Sequence, residues 1–446
     1  MTSHSVGLRK FLQDSALTFS QQLLSLVLGF TVSIISARSL GRTGVGILTL
    51  TLLFSTMVIT FVSFGVPAAT IYLLGSKKYK LEEVVFSNLV LSLIQSILGL
   101  SGALIVLFLF KDRFFSNVNS SYLYWIITII PISLLNTNLR GIFQAVGDFR
   151  AFNITTISRV AWTAILLVVL VIFRATTIFT IIFANILASF LTLALILYFL
   201  RRHVSFSTIQ FKTNGNYLRD NFKYGIKVYI SSVFTFFNYK QDRFLLNAYL
   251  SPSSVGVYNV GANLGEKLWL VSQSVSIVLF PKIASLEDDE KQRRWMTPFI
   301  TRHLFMGTAI AAAILFWITP FLIRILYGDE FSEAASVLQI ILPGVVFLTI
   351  SRVVSNDISG RGRPGINTIL SGFAVIINLL ANILLIPSYG IKGAAWASTI
   401  SYIINTFLKV GVYSHIAHVS LASIFIPRYS DLEVWRRLIQ STKIRR

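Results

Sequence analysis

The chain has 446 residues, of which 54% are hydrophobic and only 13% are charged. A typical soluble domain carries about 25% charged residues, so this chain cannot cover the surface of a soluble fold of its size. Soluble, disordered and fibrous classes are therefore excluded. The net charge of +21 indicates basic cytoplasmic loops of a membrane protein rather than nucleic-acid binding. The chain contains no cysteine, which excludes disulfides and thiolate metal sites.

Apolar segments long enough to cross a bilayer as helices of about 20 residues follow one another along the whole chain. They predict an all-α polytopic membrane protein with about twelve transmembrane helices. In the second segment, Gly65-Val66-Pro67 is expected to bend or end the membrane part, because proline cannot continue a helix. The segments lie at 14–37, 44–74, 84–110, 121–143, 154–173, 177–200, 222–250, 254–280, 300–326, 334–356, 365–386 and 392–413.

The distribution of basic residues predicts the orientation. If the N-terminus is cytoplasmic, most of the 39 Lys and Arg residues fall at cytoplasmic ends, as the positive-inside rule requires. We therefore expect a multi-pass protein of the cytoplasmic (inner) membrane with both termini in the cytoplasm. The basic residues at the opposite ends are few: Arg38, Arg42, Lys111, Arg113, Arg174, Arg324 and Lys392.

An internal repeat divides the predicted helices into two groups of six. The segment from Arg38 to Gly46 and the segment from Ala248 to Gly256 both connect the first two helices of a half. Two further segments, 144–150 and 359–364, each follow the fourth helix of a half. Even numbers of helices predict two pseudo-symmetric lobes related by an axis along the membrane normal, around a central cavity. The predicted domains are a lobe at 1–200, a cytoplasmic linker at 201–221, a second lobe at 222–413 and a basic cytoplasmic tail at 414–446.

Ionisable groups inside spans are expensive, so their default interpretation is functional. Neighbouring helices seven and eight place several at similar depth, and their charges sum to a small positive excess. The alternatives are a hydrated cavity with spare positive charge, or two interhelical salt bridges that join Lys240 or Arg243 to Glu266 and Asp242 to Lys267. The candidate binding residues of this group are Lys240, Asp242, Arg243, Asn263, Glu266 and Lys267.

A weaker cluster lies near the ends of helices four and ten. Arg140 and Arg352 occupy corresponding places in the two halves. They are either contacts for an anionic cargo entering from the cytoplasm or side chains that snorkel to the cytoplasmic surface.

Histidine placement argues against an intramembrane enzyme. All five histidines lie in the tails or near cytoplasmic loop ends, whereas a membrane acyltransferase or metalloprotease needs them in a span or catalytic loop. The outer loops are also too short for the site of a membrane polymerase. We expect no enzymatic activity, no metal and no cofactor.

Four segments resemble one family of membrane proteins. Ala37 to Gly46, Asp242 to Tyr258, Phe280-Pro281-Lys282-Ile283-Ala284 and Leu385 to Ala395 are similar in order and spacing to the signatures of polysaccharide flippases. These flippases belong to the multidrug/oligosaccharidyl-lipid/polysaccharide exporter superfamily.

The resemblance implies a Wzx-like flippase for O-antigen or exopolysaccharide synthesis, with a MATE-like fold. Its cargo would be an undecaprenyl-diphosphate-linked oligosaccharide, moved to the outer leaflet by alternating access of the two lobes. Besides membrane lipids, a polysaccharide polymerase and a chain-length regulator are candidate partners. For a diphosphate headgroup the expected contacts are Arg243, Lys240 and Lys267, with Arg140 and Arg352 at the entry.

Three other functions are alternatives to this interpretation. A drug/cation antiporter of the same superfamily would need a cavity of net negative charge, which the positive sum disfavours. The lipid II flippase branch usually has extra spans, for which twelve segments leave no room. A membrane polysaccharide polymerase is disfavoured by the missing outer loop.

The topology is directly testable. After Arg446 we expect a cytoplasmic reporter to be active and a periplasmic reporter to be inactive. An even number of spans returns the chain to the side on which it started. Paired cytoplasmic and periplasmic reporters at this position measure it. Activity of the periplasmic reporter alone would contradict the predicted orientation.

Overall fold

A computed structural model describes the backbone of residues 2–204, 213–269, 272, 283, 289–426 and 431, and the side chains from residue 17 onward. Parts of the predicted linker (205–212), of the tail (427–430 and 432–446) and of the third family-like segment (280–282 and 284) lie outside the described residues. Within those described ranges every regular element is a helix and no strand occurs.

The first half of the chain forms seven helices that correspond to six predicted spans. The long helix α1 contains the first two spans, and α4 and α5 together form the fourth. The helices are α1 (Thr2–Val62), α2 (Val66–Gly75), α3 (Leu81–Phe114), α4 (Ser120–Ile127), α5 (Ile129–Ala145), α6 (Phe149–Ile172) and α7 (Ile178–Leu200).

The second half continues the same pattern. Helix α9 covers the first part of the predicted span eight and ends at Glu266, where Lys267 and Leu268 form a turn; residues 270–271 and 273–280 of that span lie outside the described residues. The helices are α8 (Gly215–Tyr249), α9 (Pro252–Glu266), α10 (Glu290–Tyr327), α11 (Ala334–Gly360), α12 (Pro364–Ala417) and the short α13 (Leu421–Phe425).

Two glycines divide the longest helices. Gly41 in α1 has φ 63° and ψ −179°, and Gly390 in α12 has φ 59° and ψ −135°. Both conformations are unfavourable for a residue with a Cβ atom, which glycine lacks. Divided at these points, α1 and α12 each contain two of the predicted spans. The twelve-span, all-α prediction is confirmed, although only eight of the described helices are by length and hydropathy alone candidates for a span.

The predicted break after the second span is also confirmed. Helix α1 ends at Val62 and α2 begins at Val66, with Gly65 in the left-handed conformation at φ 69° and Pro67 in the first turn. A left-handed residue followed by a proline is a typical way to stop one helix and start another.

The described chain divides into two compact units. One comprises residues 1–259 and 326–331, and the other comprises 260–325 and 332–446. The division into lobes at 1–200 and 222–413, and their symmetry, remain predictions.

Within the first unit, α8 is anchored by polar and glycine contacts. The Tyr217 hydroxyl donates to Asn88 Oδ1 at 2.8 Å and lies 2.9 Å from the Thr70 hydroxyl. A Cβ on Gly65 would lie 2.2 Å from the Gly225 carbonyl oxygen, so the two backbones touch. These contacts fix how far α8 extends along α2 and α3. They thereby also position the charged segment at residues 239–243 of α8.

The kink in α12 generates a stability prediction. Gly390→Ala should lower the free energy of unfolding by about 1–3 kcal/mol, because alanine must adopt a strained positive φ. Thermal unfolding of the purified protein in detergent measures the effect. Gly411→Ala in the same helix is the control, since no atom lies within 4 Å of its added Cβ; equal stability of the two variants would show that the kink does not depend on glycine.

Candidate functional site

The charged segment of α8 forms a closed ion pair inside the first unit. Arg243 is 1% exposed and Asp242 is 4% exposed. The Arg243 guanidinium donates through Nη1 to Asp242 Oδ1 at 3.0 Å and to the Tyr239 carbonyl at 2.7 Å, and through Nε to Asn259 Oδ1 at 3.0 Å. A buried arginine is tolerated when its donors are satisfied in this way.

The second carboxylate oxygen of Asp242 is also occupied. The buried Tyr258 hydroxyl donates to Oδ2, and the Tyr258 ring lies 5.6 Å from the Arg243 guanidinium carbon. Asp242 therefore pairs with its chain neighbour Arg243, a partner that the sequence analysis did not consider. The interpretation of Arg243 as a cargo contact stays a prediction, and its present geometry is that of a structural ion pair.

The other polar residues of this group are less buried. Lys240 and, in the second unit, Asn263 and Glu266 are partly exposed, while Lys267 is exposed in the turn that follows α9. Their assignment to the cargo site stays a prediction.

In the first unit, two arginines on neighbouring helices have no acidic partner among the residues that the structure describes. Arg140 in α5 and Arg159 in α6 are near enough for their charges to repel, and neither makes a hydrogen bond or ion pair with the described residues. The helical rise of 1.5 Å per residue places Arg140 about 8 Å and Arg159 about 15 Å from the ends of their helices that are predicted to be cytoplasmic.

Arg159 is on the protein-facing side of α6. Thr155 and Thr163, one turn before and after it on the same face, are 0% and 6% exposed. The apolar residues exposed on this helix, such as Ile165 and Ile172, are on other faces. The exposed Arg159 side chain therefore does not point toward lipid.

The second unit contains a similar pair. Arg352 in α11 lies 4.5 Å from the Trp269 ring centroid, and Lys409 in α12 is near enough to be affected by the charge of Arg352. Lys409 is only 8% exposed and makes no hydrogen bond or ion pair within the part of the chain that is described. Both lie about 12 Å from the predicted cytoplasmic ends of their helices.

The described neighbours of Lys409 along its own face of α12 are polar and uncharged. On its face of α12, Asn405 and Thr406 one turn before and Tyr413 one turn after are buried. A buried lysine without a counter-ion is costly, and no described acidic residue pairs with Lys409. Sequence reasoning named Arg352 but not Lys409 or Arg159. Both are charged residues inside predicted spans, and the rule applied to helices seven and eight would have found them.

Several basic residues near the predicted cytoplasmic end of the second unit, in contrast, are paired. Arg361 donates to Glu290 at 2.8 Å and also contacts Asp357, and the buried Arg302 binds Asp431 of the tail. Burial alone would raise the pKa of Glu290, but hydrogen bonds from Arg361 and Arg294 hold it below its ordinary value. Among the described residues no group of three or more metal-ligating side chains exists.

Comparison with known proteins identifies the family. Residues 11–287, more than half of the chain, match the family described as "Polysaccharide biosynthesis protein". The chain belongs to this family. The resemblance inferred from the four sequence segments is thereby confirmed at family level.

Individual relatives are distant. The chain is 26% identical over 193 residues to the probable low-salt glycan biosynthesis flippase Agl15 of Haloferax volcanii, covering 43% of this chain and 41% of the relative. It is 20% identical to the putative O-antigen transporter of Shigella flexneri over 65% of this chain and 69% of that protein. The alignment thus spans about two fifths of the first of these relatives.

Solved structures confirm the MATE-like fold. An inward-facing multidrug resistance MATE family transporter of the MOP superfamily has a TM-score of 0.74 at 13% identity, covering 91% of this chain and 98% of its own. The lipid II flippase MurJ in an inward closed conformation also has a TM-score of 0.74, at 15% identity, covering 91% and 88%. The protein is therefore a multi-pass membrane protein with the fold of these transporters.

The closed ion pair predicts the effect of Arg243→Gln. Removing one partner leaves a buried, uncompensated Asp242 charge, which should cost about 3–5 kcal/mol and lower the amount of folded protein. The double variant Asp242→Asn with Arg243→Gln should recover most of the loss. Fluorescence-detected size-exclusion measures folded protein, with the exposed Arg113→Gln as control; a double variant as poorly folded as the single would contradict the pairing.

Proposed function

We propose that this protein moves a lipid-linked oligosaccharide, joined to its lipid through a diphosphate, from the inner to the outer leaflet of the cytoplasmic membrane by alternating access. The product would be used for a cell-surface polysaccharide such as O-antigen or exopolysaccharide. Family membership and relatives named as flippases and transporters support transport rather than catalysis.

The observation that carries the proposal is the Arg352–Lys409 pair. Two cations near enough to affect each other's charge lie at the same predicted depth without a described acidic partner, and one of them is 8% exposed. Hydrogen bonds from arginine and lysine to phosphate are strong where water is excluded. A diphosphate would supply the missing counter-charge.

Arg140 and Arg159 offer the same chemistry in the first unit. Each unit thus provides two basic groups. One is partly exposed, and the other is on a side of its helix that faces protein. All four lie about 8–15 Å from the predicted cytoplasmic ends of their helices. Cations at several depths would let an anionic headgroup move between sites of comparable affinity, as transport requires.

The same cations disfavour a drug/cation antiporter. A cationic drug needs acidic or aromatic partners, and it would be repelled by Arg352 and Lys409. Asp242 is a buried acidic residue that could pair with a cationic drug. Its two carboxylate oxygens already accept hydrogen bonds from Arg243 and Tyr258.

The test is to remove the charges and measure export. Lys409→Met, which keeps the side-chain length, and Arg352→Gln should each lower export of the lipid-linked sugar by about tenfold or more, since a charged hydrogen bond to phosphate contributes roughly 1.5–3 kcal/mol. Cells that lack their own flippase for a defined polymer provide the assay, with precursor accumulation in the inner leaflet as the direct measurement.

Lys392→Gln is the matched control, because Lys392 is exposed on the predicted outer side. Membrane level of each variant is measured in parallel. Normal export by well-inserted Lys409→Met and Arg352→Gln variants would overturn the assignment of the diphosphate to this pair. Transport of a cationic drug that survives both changes would favour the antiporter.

A further inference from the structure

Helices α1 and α9 touch through their backbones at one pair of glycines. A Cβ on Gly46 would lie 1.7 Å from the Pro252 carbonyl oxygen, and a Cβ on Gly256 would lie 2.0 Å from the Arg42 carbonyl oxygen. Any other residue at either position would force the helices apart. Gly46 and Gly256 are equivalent positions of the internal repeat, so the contact is formed by the same surface of each repeat.

One turn beyond the glycines, a hydrogen bond joins the same two helices. Asn259 Nδ2 donates to Thr49 Oγ1 at 3.1 Å, and these residues are 210 positions apart, also equivalent in the repeat. Unlike the glycine contact, this bond is asymmetric: an amide on α9 faces a hydroxyl on α1.

Arg243 determines which way the Asn259 amide points. A guanidinium can only donate, so the Arg243 Nε–H, at 3.0 Å, requires the amide oxygen on its side. The amide nitrogen is thereby turned toward Thr49. Arg243 is itself held by Asp242 and by the Tyr239 carbonyl, which makes it a fixed reference for this hydrogen bond.

We propose that Gly46, Gly256, Thr49 and Asn259 form a latch that holds α1 and α9 together, and that Arg243 is its positioning residue. The inference rests on the proposed function in one respect: α1 and α9 belong to different predicted lobes, so alternating access requires this contact to open. Both glycines lie within about 8 Å of the helix ends predicted to be on the outer side. The latch therefore closes the outer side.

Locking the latch should stop transport. The chain contains no cysteine, so Thr49→Cys with Asn259→Cys introduces one unique pair. Oxidation should form a disulfide, abolish export, and restore export on reduction, while the single variants respond to neither treatment. Undiminished export by fully cross-linked protein would overturn the latch and leave the proposed cargo untouched.

Weakening the latch should expose the outer ends of α1 and α9. On a Val45→Cys background, a membrane-impermeant maleimide should label the buried position 45 about 3–10 times faster after Thr49→Val, the factor expected for loss of one ordinary hydrogen bond. Thr51→Val is the matched control, because the Thr51 hydroxyl donates only within its own helix, to the Ile47 carbonyl. Equal labelling rates in the two variants would overturn the proposal.

The role of Arg243 has its own measurement. In the double variant Asp242→Asn with Arg243→Gln, which avoids a lone buried charge, labelling should rise as in Thr49→Val, and adding Thr49→Val should cause no further increase. Additive increases would show that Arg243 does not act through the Asn259–Thr49 bond. Since labelling needs no cargo, a working latch without export of lipid-linked sugar would identify a failure of the proposed function alone.

Discussion

The cost of placing a charge inside a membrane protein organises this structure. An ionised group away from water must find a partner or face a polar cavity, and the described chain shows both solutions. Asp242 and Arg243 satisfy each other on one helix, with Tyr258 and Asn259 completing the pair. Arg352 and Lys409 have no acidic partner in the described ranges, so they remain available to an anion. The proposed distinction between structural and cargo-binding residues rests on this difference.

Hydrophobic length made the fold predictable. Within the described ranges, which leave out residues 270–271 and 273–280 of span eight, helices and the Gly65-Val66-Pro67 break lie where the sequence placed them. The kinks at Gly41 in α1 and at Gly390 in α12 were not predicted, because a sequence shows that a connection between two spans is short without showing that a single glycine is enough to make it. Likewise, the pattern of span eight did not show that α9 would end at Glu266.

The site was less predictable, for a physical reason. Helical spacing shows which residues share a face, but not which neighbour a long side chain reaches. Arg243 was expected to pair across helices with Glu266 or to bind cargo, and its contact with the adjacent Asp242 was not considered. Lys409 and Arg159 were overlooked because each is the only charge in its part of a span, and attention to clusters favoured helices seven and eight. An isolated charge is the more informative signal, since no neighbour in sequence can neutralise it.

The two roles assigned to basic residues place different demands on them. A cargo contact must release its anion, so a site with modest excess charge and partial access to water suits it. A positioning residue must not move, and 1% exposure with donors satisfied on three sides suits that role. Arg243 meets the second demand and Arg352 the first. If cargo binding and the closing of the outer side were performed by one residue, tight binding would also hold the latch in a single state. Separate residues allow the affinity for cargo and the stability of the closed outer side to be set independently.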